Sequence, residues 1–223
     1  RLCRAVGGVS IVTTGEGAEV QDRETEAFNL VLNEARLLSV EADLFRRRAV
    51  FSFVPLRPGP AASEPVQCVL EPVGRIVGSL RAGRWDDRNA PTLPLTLEDL
   101  PALVASSQQP IYSDLANQPL AEERHWLGRL SFEHTLSTSE GMTNHLALFQ
   151  NPGTRHLDVM VWFDRATFCE VSGEEVSLNA LAIEVADWWS EMRAGSISAG
   201  TEGIRLLAPR VSVWRRMLAR LRR

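Results

Sequence analysis

Lysine is absent: all 24 basic residues of this 223-residue chain are arginine. Schiff-base catalysis and P-loop phosphate binding both depend on a lysine amine, so both are excluded. We read the arginine bias as the mark of a GC-rich bacterial genome. Cysteine is scarce. Cys3, Cys68 and Cys169 have no metal-ligand spacing and leave at least one thiol unpaired, which suits a reducing cytoplasm better than a disulfide framework. No apolar run approaches the roughly 20 residues a membrane helix needs. The start, Arg1-Leu2-Cys3-Arg4, has neither Met nor a long hydrophobic stretch. We therefore expect no secretory signal, and the missing Met suggests that a leader, a tag or upstream sequence has been removed. The nearest approach to a nucleophile elbow, Ser196-Ile197-Ser198-Ala199-Gly200, has Ser where the first Gly belongs. No dinucleotide fingerprint and no repeat of fixed period are present.

What the chain does contain is ordinary globular material, 44% hydrophobic and 23% charged, enough to bury a sizeable core. The net charge of −4 hides a division. Arg205 to Arg223 holds seven arginines and no acid, which leaves 17 arginines against 28 acids, or −11, for everything before it. An acidic body with a basic tail follows.

Side chains alternate across a strand, so Leu157, Val159, Val161 and Phe163 make one apolar face of a strand over Arg155–Asp164. Its other face, His156, Asp158, Met160, Trp162 and Asp164, looks only partly covered and is the first candidate binding face. Trp126–Leu136, Met142–Phe149, Arg155–Asp164 and Ala166–Val171 read as an antiparallel meander with turns at Ser137–Gly141, Asn151-Pro152-Gly153 and Ser172-Gly173. Ser177 then caps a helix from Leu178 to Arg193, whose stripe of Leu178, Leu181, Val185, Trp188, Trp189 and Met192 should cover the Leu157–Phe163 face. The first half is less regular. A helix capped by Asp22 carries Phe28, Val31, Leu32 and Ala35. A hairpin follows, with Leu38, Val40, Ala42 and Leu44 on one face, a turn at Arg46-Arg47-Arg48 and a return over Ala49–Val54. Pro55–Pro65 is a loop. Strand pieces Val66–Leu70 and Arg75–Leu80 meet at Pro72, which cannot donate a ladder bond and so marks a bulge or an edge. Thr96 caps a short helix over Leu97–Ser106. Residues 108–123, polar and twice interrupted by proline, read as a surface connection.

The fold expected is α+β over residues 1–223 as a single domain, with any internal division near 108–123. It consists of a largely antiparallel sheet, an amphipathic helix on one face and a basic C-terminal helix.

Three further groups carry candidate chemistry. In the loop Arg84, Trp85, Asp86, Asp87, adjacent carboxylates suit a divalent cation, and Arg81, Arg84 and Arg88 suit an anion. The plain alternative is a turn held by Asp side chains. His134 and His145 would face each other about 5 Å apart across a tight hairpin, close enough to share a metal, with His156 and Asp158 nearby. Half-buried histidines are the plainer reading. Pro209 opens a C-terminal helix with Trp214, Met217, Leu218 and Leu221 on one side and Arg215, Arg216, Arg220, Arg222 and Arg223 on the other. Such a helix suits an anionic membrane surface or a partner's groove, or simply docks on the body. Nucleic acid is disfavoured, because the acidic body repels phosphates.

Asn33-Glu34-Ala35-Arg36-Leu37-Leu38-Ser39-Val40, followed by paired strands, resembles the β-rich immunity proteins of polymorphic toxins over about a fifth of the chain. That resemblance implies an inhibitor of a basic toxin. The expected function is a non-enzymatic binding protein of a bacterial cytoplasm, without a cofactor and with a protein partner. A metal-dependent hydrolase using the His/Asp residues and a peripheral membrane protein are the alternatives.

Overall fold

A computed structural model describes residues 17–83, 89–107, 109–116, 129–136, 144–151 and 154–194, with only the backbone described for 17–22. They form an eight-stranded antiparallel sheet and three α-helices, an α+β architecture. In chain order these are α1 (Gly17–Leu32), β1 (Arg36–Asp43), β2 (Arg48–Val54), β3 (Val66–Ala82), β4 (Thr92–Leu93), α2 (Leu100–Ser107), β5 (Tyr112–Ala116), β6 (Phe132–Thr135), β7 (Asn144–Gln150), β8 (Arg155–Glu170) and α3 (Leu178–Arg193). The sheet runs β1-β2-β3-β8-β7-β5, with β4 and β6 also paired to β3. Among the described residues no helix is long and apolar enough to cross a membrane.

Two strands form the spine. β3 and β8 pair from Val66↔Glu170 to Ala82↔Arg155. The register shifts between Val73 and Arg75, one step beyond Pro72, where a bulge accommodates Gly74. There β3 changes neighbours. Val73 N–H donates to Arg47 O just before β2, and Gly74 O accepts from Leu136 N–H just after β6. The two strand pieces expected around Pro72 are thus one strand, and the bulge falls at their junction. A second bulge, between Leu37 and Ser39, turns Leu37 inward in place of Leu38.

Leu157, Val159, Val161 and Phe163 lie in the main core, as their alternation requires. They share it with Phe28, Val31 and Leu32 of α1, Leu100 and Val104 of α2, and Leu181, Val185 and Trp189 of α3. The cover is therefore collective: α3 packs along α1, α2 lies against β1, and α1 reaches β5. At about 25 cal/mol per Å² of apolar area, this continuous layer is the main source of stability.

The expected meander is corrected in its partners. Arg155–Asp164 and Ala166–Val171 are one strand, β8, because Arg165 keeps its place in the ladder opposite Glu71. β6 does not form a hairpin with β7 but pairs with β3 at Arg75–Gly78. The surface connection expected over 108–123 contains β5, which pairs with β7. β5 is a polar edge strand whose open backbone groups are met by Asn29 of α1 and by Asn33 just beyond it. Asn29 Oδ1 accepts from Leu115 N–H at 2.8 Å, and Asn33 Oδ1 from Ser113 N–H at 2.9 Å. The two ends of the sheet meet where Glu34 N–H donates to Ile111 O and Ile111 N–H to Ala35 O.

Candidate functional site

The outward face of β3–β8–β7 carries residues in rows fixed by register: Arg81 and His156, then Ser79, Asp158 and Phe149, then Val77, Met160 and Ala147, then Arg75, Trp162 and His145. Expected to be partly open, this face is closed. His156 is 3% exposed, Asp158 6% and Trp162 6%; Val77, Met160 and Trp162 form a small second core against Leu130 and Ala147. Asp164, one step beyond, is half-buried. Ordinary alternation places these residues together; the cover, from a chain segment distant in sequence, was not readable from the strand itself.

Within this second core lies a polar relay. Arg81 Nη2 donates to Asp158 Oδ2 at 2.9 Å, and His156 Nε2 lies 2.7 Å from Asp158 Oδ1. His156 Nδ1 lies 2.8 Å from Asn151 Oδ1. The ring therefore faces an acceptor oxygen at each nitrogen, Asp158 Oδ1 at Nε2 and Asn151 Oδ1 at Nδ1. Both ring nitrogens and both carboxylate oxygens are engaged. The nearby Ser79 hydroxyl donates to Arg129 O at 2.6 Å. Arg81, grouped by sequence with the anion-gripping loop, grips an anion of its own chain. The arrangement satisfies buried charges that would be costly unpaired.

Trp162 is fixed in the same way. The His145 ring stacks on it at 4.8 Å and 23°, and the Arg75 guanidinium carbon lies 4.6 Å from its centroid. Glu133 Oε1 accepts from Arg75 Nε at 2.9 Å and pairs with Nη2 at 2.8 Å. The hairpin that would have brought His134 and His145 together does not exist. His134 lies opposite Ile76 on β6, and β3 and β8 separate that strand from β7. At about 4.8 Å per strand that spacing is too wide for a shared ion. No group of three His, Cys, Asp or Glu able to hold a metal occurs among the described residues. The candidate loop Arg84, Trp85, Asp86, Asp87 and the helix bearing Trp214, Arg215, Arg216, Leu218, Arg220 and Leu221 lie outside the described residues. Cys68 is free and buried, and burial pushes its thiol well above the usual range, so it is inert. Cys169 is disulfide-bonded.

An open cleft lies on the helical side of the sheet, a cavity of about 210 Å³ between the middle of α1, the second half of β8 and the start of α3. Its shape comes from the β8–α3 connection. Gly173, at φ +92°, turns the chain so that Gly173 N–H bonds Glu170 O and Val176 N–H bonds Phe168 O. Glu175 thereby bridges back to Cys169 and lies at the cleft. The floor is aromatic: Phe28 and Phe163 line it with Phe168, which meets Phe28 edge-on at 5.3 Å and Phe53 at 6.3 Å. Glu24, Glu175, Ser177 and Asn179 add polar walls, and burial raises the Glu24 carboxyl above its ordinary range. Sequence reasoning missed this site. Its available signal was a pair of acids, Glu174 and Glu175, placed between the turn glycine and the helix cap Ser177.

Compared with known proteins, the chain matches no family model, no curated protein and no solved structure.

Proposed function

We propose that this chain is a non-enzymatic interaction protein that binds a basic segment of a protein partner at the cleft between α1, β8 and α3. The observation that carries this reading is an acidic surface leading into an aromatic-floored cavity. Glu170, Glu174 and Glu175 are exposed around the β8–α3 turn, and Glu184, Asp187 and Glu191 are exposed along α3. Surface charge of one sign raises association rates with opposite partners and selects against like-charged ones. The charge of −11 carried before Arg205 makes a basic partner the complementary one. Both ring nitrogens of His156 and both oxygens of Asp158 have partners within the chain, which supports reading that relay as part of the scaffold. An inhibitor of a basic toxin is the specific form of this reading.

The test is binding of cationic polypeptides to the intact chain by titration calorimetry at low and high salt. Affinity should fall roughly tenfold or more between about 0.05 M and 0.5 M salt, since exposed charge attraction is screened over about 10 Å at 0.1 M. Replacing Glu174 and Glu175 by arginine should weaken it further. Affinity indifferent to both changes would reject the reading.

A further inference from the structure

We infer that the cleft is an anchor pocket for one arginine side chain, the partner's guanidinium entering between Glu24 and Glu175 and its stem lying on the phenylalanine floor. This rests on the reading that a basic partner binds at this site, and adds which side chain is recognised.

Size sets the class of ligand. Pockets that enclose a metabolite or cofactor measure about 300–1,000 Å³. At about 210 Å³ this cavity is smaller, and suits a single side chain. Its chemistry then selects among side chains. Phe28, Phe163 and Phe168 offer an apolar floor, which a purely hydrophobic residue would also accept. Glu24 and Glu175, from two different elements, line the same cavity, and a hydrophobic residue would desolvate them without return. A cation with an apolar stem meets both demands. Between the two natural cations, the aromatic floor favours arginine, whose planar, weakly hydrated guanidinium stacks on rings and presents a fork to carboxylates. A lysine ammonium is compact and more strongly hydrated. Asn179 and Ser177 place further polar atoms in the same wall. The raised carboxyl of half-buried Glu24 fits the same picture, because a guanidinium would offset its desolvation.

The experiment is a titration of the full chain with N-acetyl-arginine amide, followed by amide chemical shifts. N-acetyl-lysine amide and N-acetyl-citrulline amide serve as comparisons, the latter matching the shape of arginine without its charge. Shifts should gather at Glu24, Phe28, Phe168 and Glu175–Asn179. Arginine should bind about tenfold or more tightly than citrulline and several-fold more tightly than lysine. Glu24→Gln and Glu175→Gln, conservative changes that keep shape, should each remove most of the preference over citrulline while the urea midpoint stays near that of the parent. Equal binding of arginine and citrulline, or shifts scattered elsewhere, would overturn the pocket. If the double variant still binds cationic polypeptides at full, salt-sensitive strength, the pocket is wrong and the interaction reading stands. If the parent binds neither ligand nor polypeptide, both fall together.

Discussion

Glu34 sits where the two ends of the sheet meet, at φ 65°, a left-handed conformation that non-glycine residues seldom adopt. Its backbone N–H is committed to Ile111 O, and burial raises its carboxyl above the ordinary value of 4.5. Tyr112 is raised too, first by burial and then by the negative charge of Glu34. Because Tyr112 is the only tyrosine in the chain, its tyrosinate absorbance can be titrated without interference. The midpoint should lie above 10.0, and Glu34→Gln should lower it without restoring the ordinary value, since burial remains. An unchanged midpoint in the variant would show that the two groups do not interact. The stability consequence has a definite sign. Holding its proton more tightly when folded, Glu34 contributes stability below pH 4.5 that is lost as pH rises through its raised folded value. Urea midpoints should therefore show Glu34→Gln gaining on the parent above pH 4.5, and a gap independent of pH would contradict this.

Between elements, the junction of β6 with β3 depends on one missing side chain. A Cβ at Gly78 would clash with Cε1 and Cζ at the edge of the Phe132 ring. Gly78→Ala should cost about 1–3 kcal/mol, the usual range for overpacking, and Phe132→Ala should relieve that clash in a double-mutant cycle. Additive losses would mean the ring does not rest there. This junction also shows where the sequence could be read and where it could not. The bounds of α3 coincide with its apolar stripe, and the inward face of β8 with its alternation, because both are local periodicities. β6 choosing β3 over β7 is a long-range competition that leaves no trace in Phe132–Thr135. β5 was missed because Ser113 and Asp114 resemble loop residues, and the edge bonds from Asn29 and Asn33 belong to another element. For the same reason the candidate face on β8 could be listed from alternation, whereas its closure and the cleft depend on which distant segments arrive.

At the scale of the molecule, the main core and the second core lie on opposite faces of the same two strands, so they should unfold together. Arg81→Ala tests this, because it leaves Asp158 buried with His156 but without its guanidinium. Breaking one side of a buried ion pair costs about 3–5 kcal/mol. The loss should appear as one shifted transition, identical by far-UV circular dichroism and by tryptophan fluorescence. Two separated transitions would show the cores to be independent.

The spine carries a further consequence, for the order in which the protein is made. β3 is complete at Ala82, yet β8, its partner along nearly its whole length, begins only at Arg155. During synthesis the nascent chain must hold a long strand, buried for most of its length in the finished fold, with one edge empty until the C-terminal half emerges. Such an edge is a template for pairing with other chains. Fragments ending before Arg155 should therefore aggregate rather than fold, and refolding of the whole chain should be slow, as distant strand pairing requires.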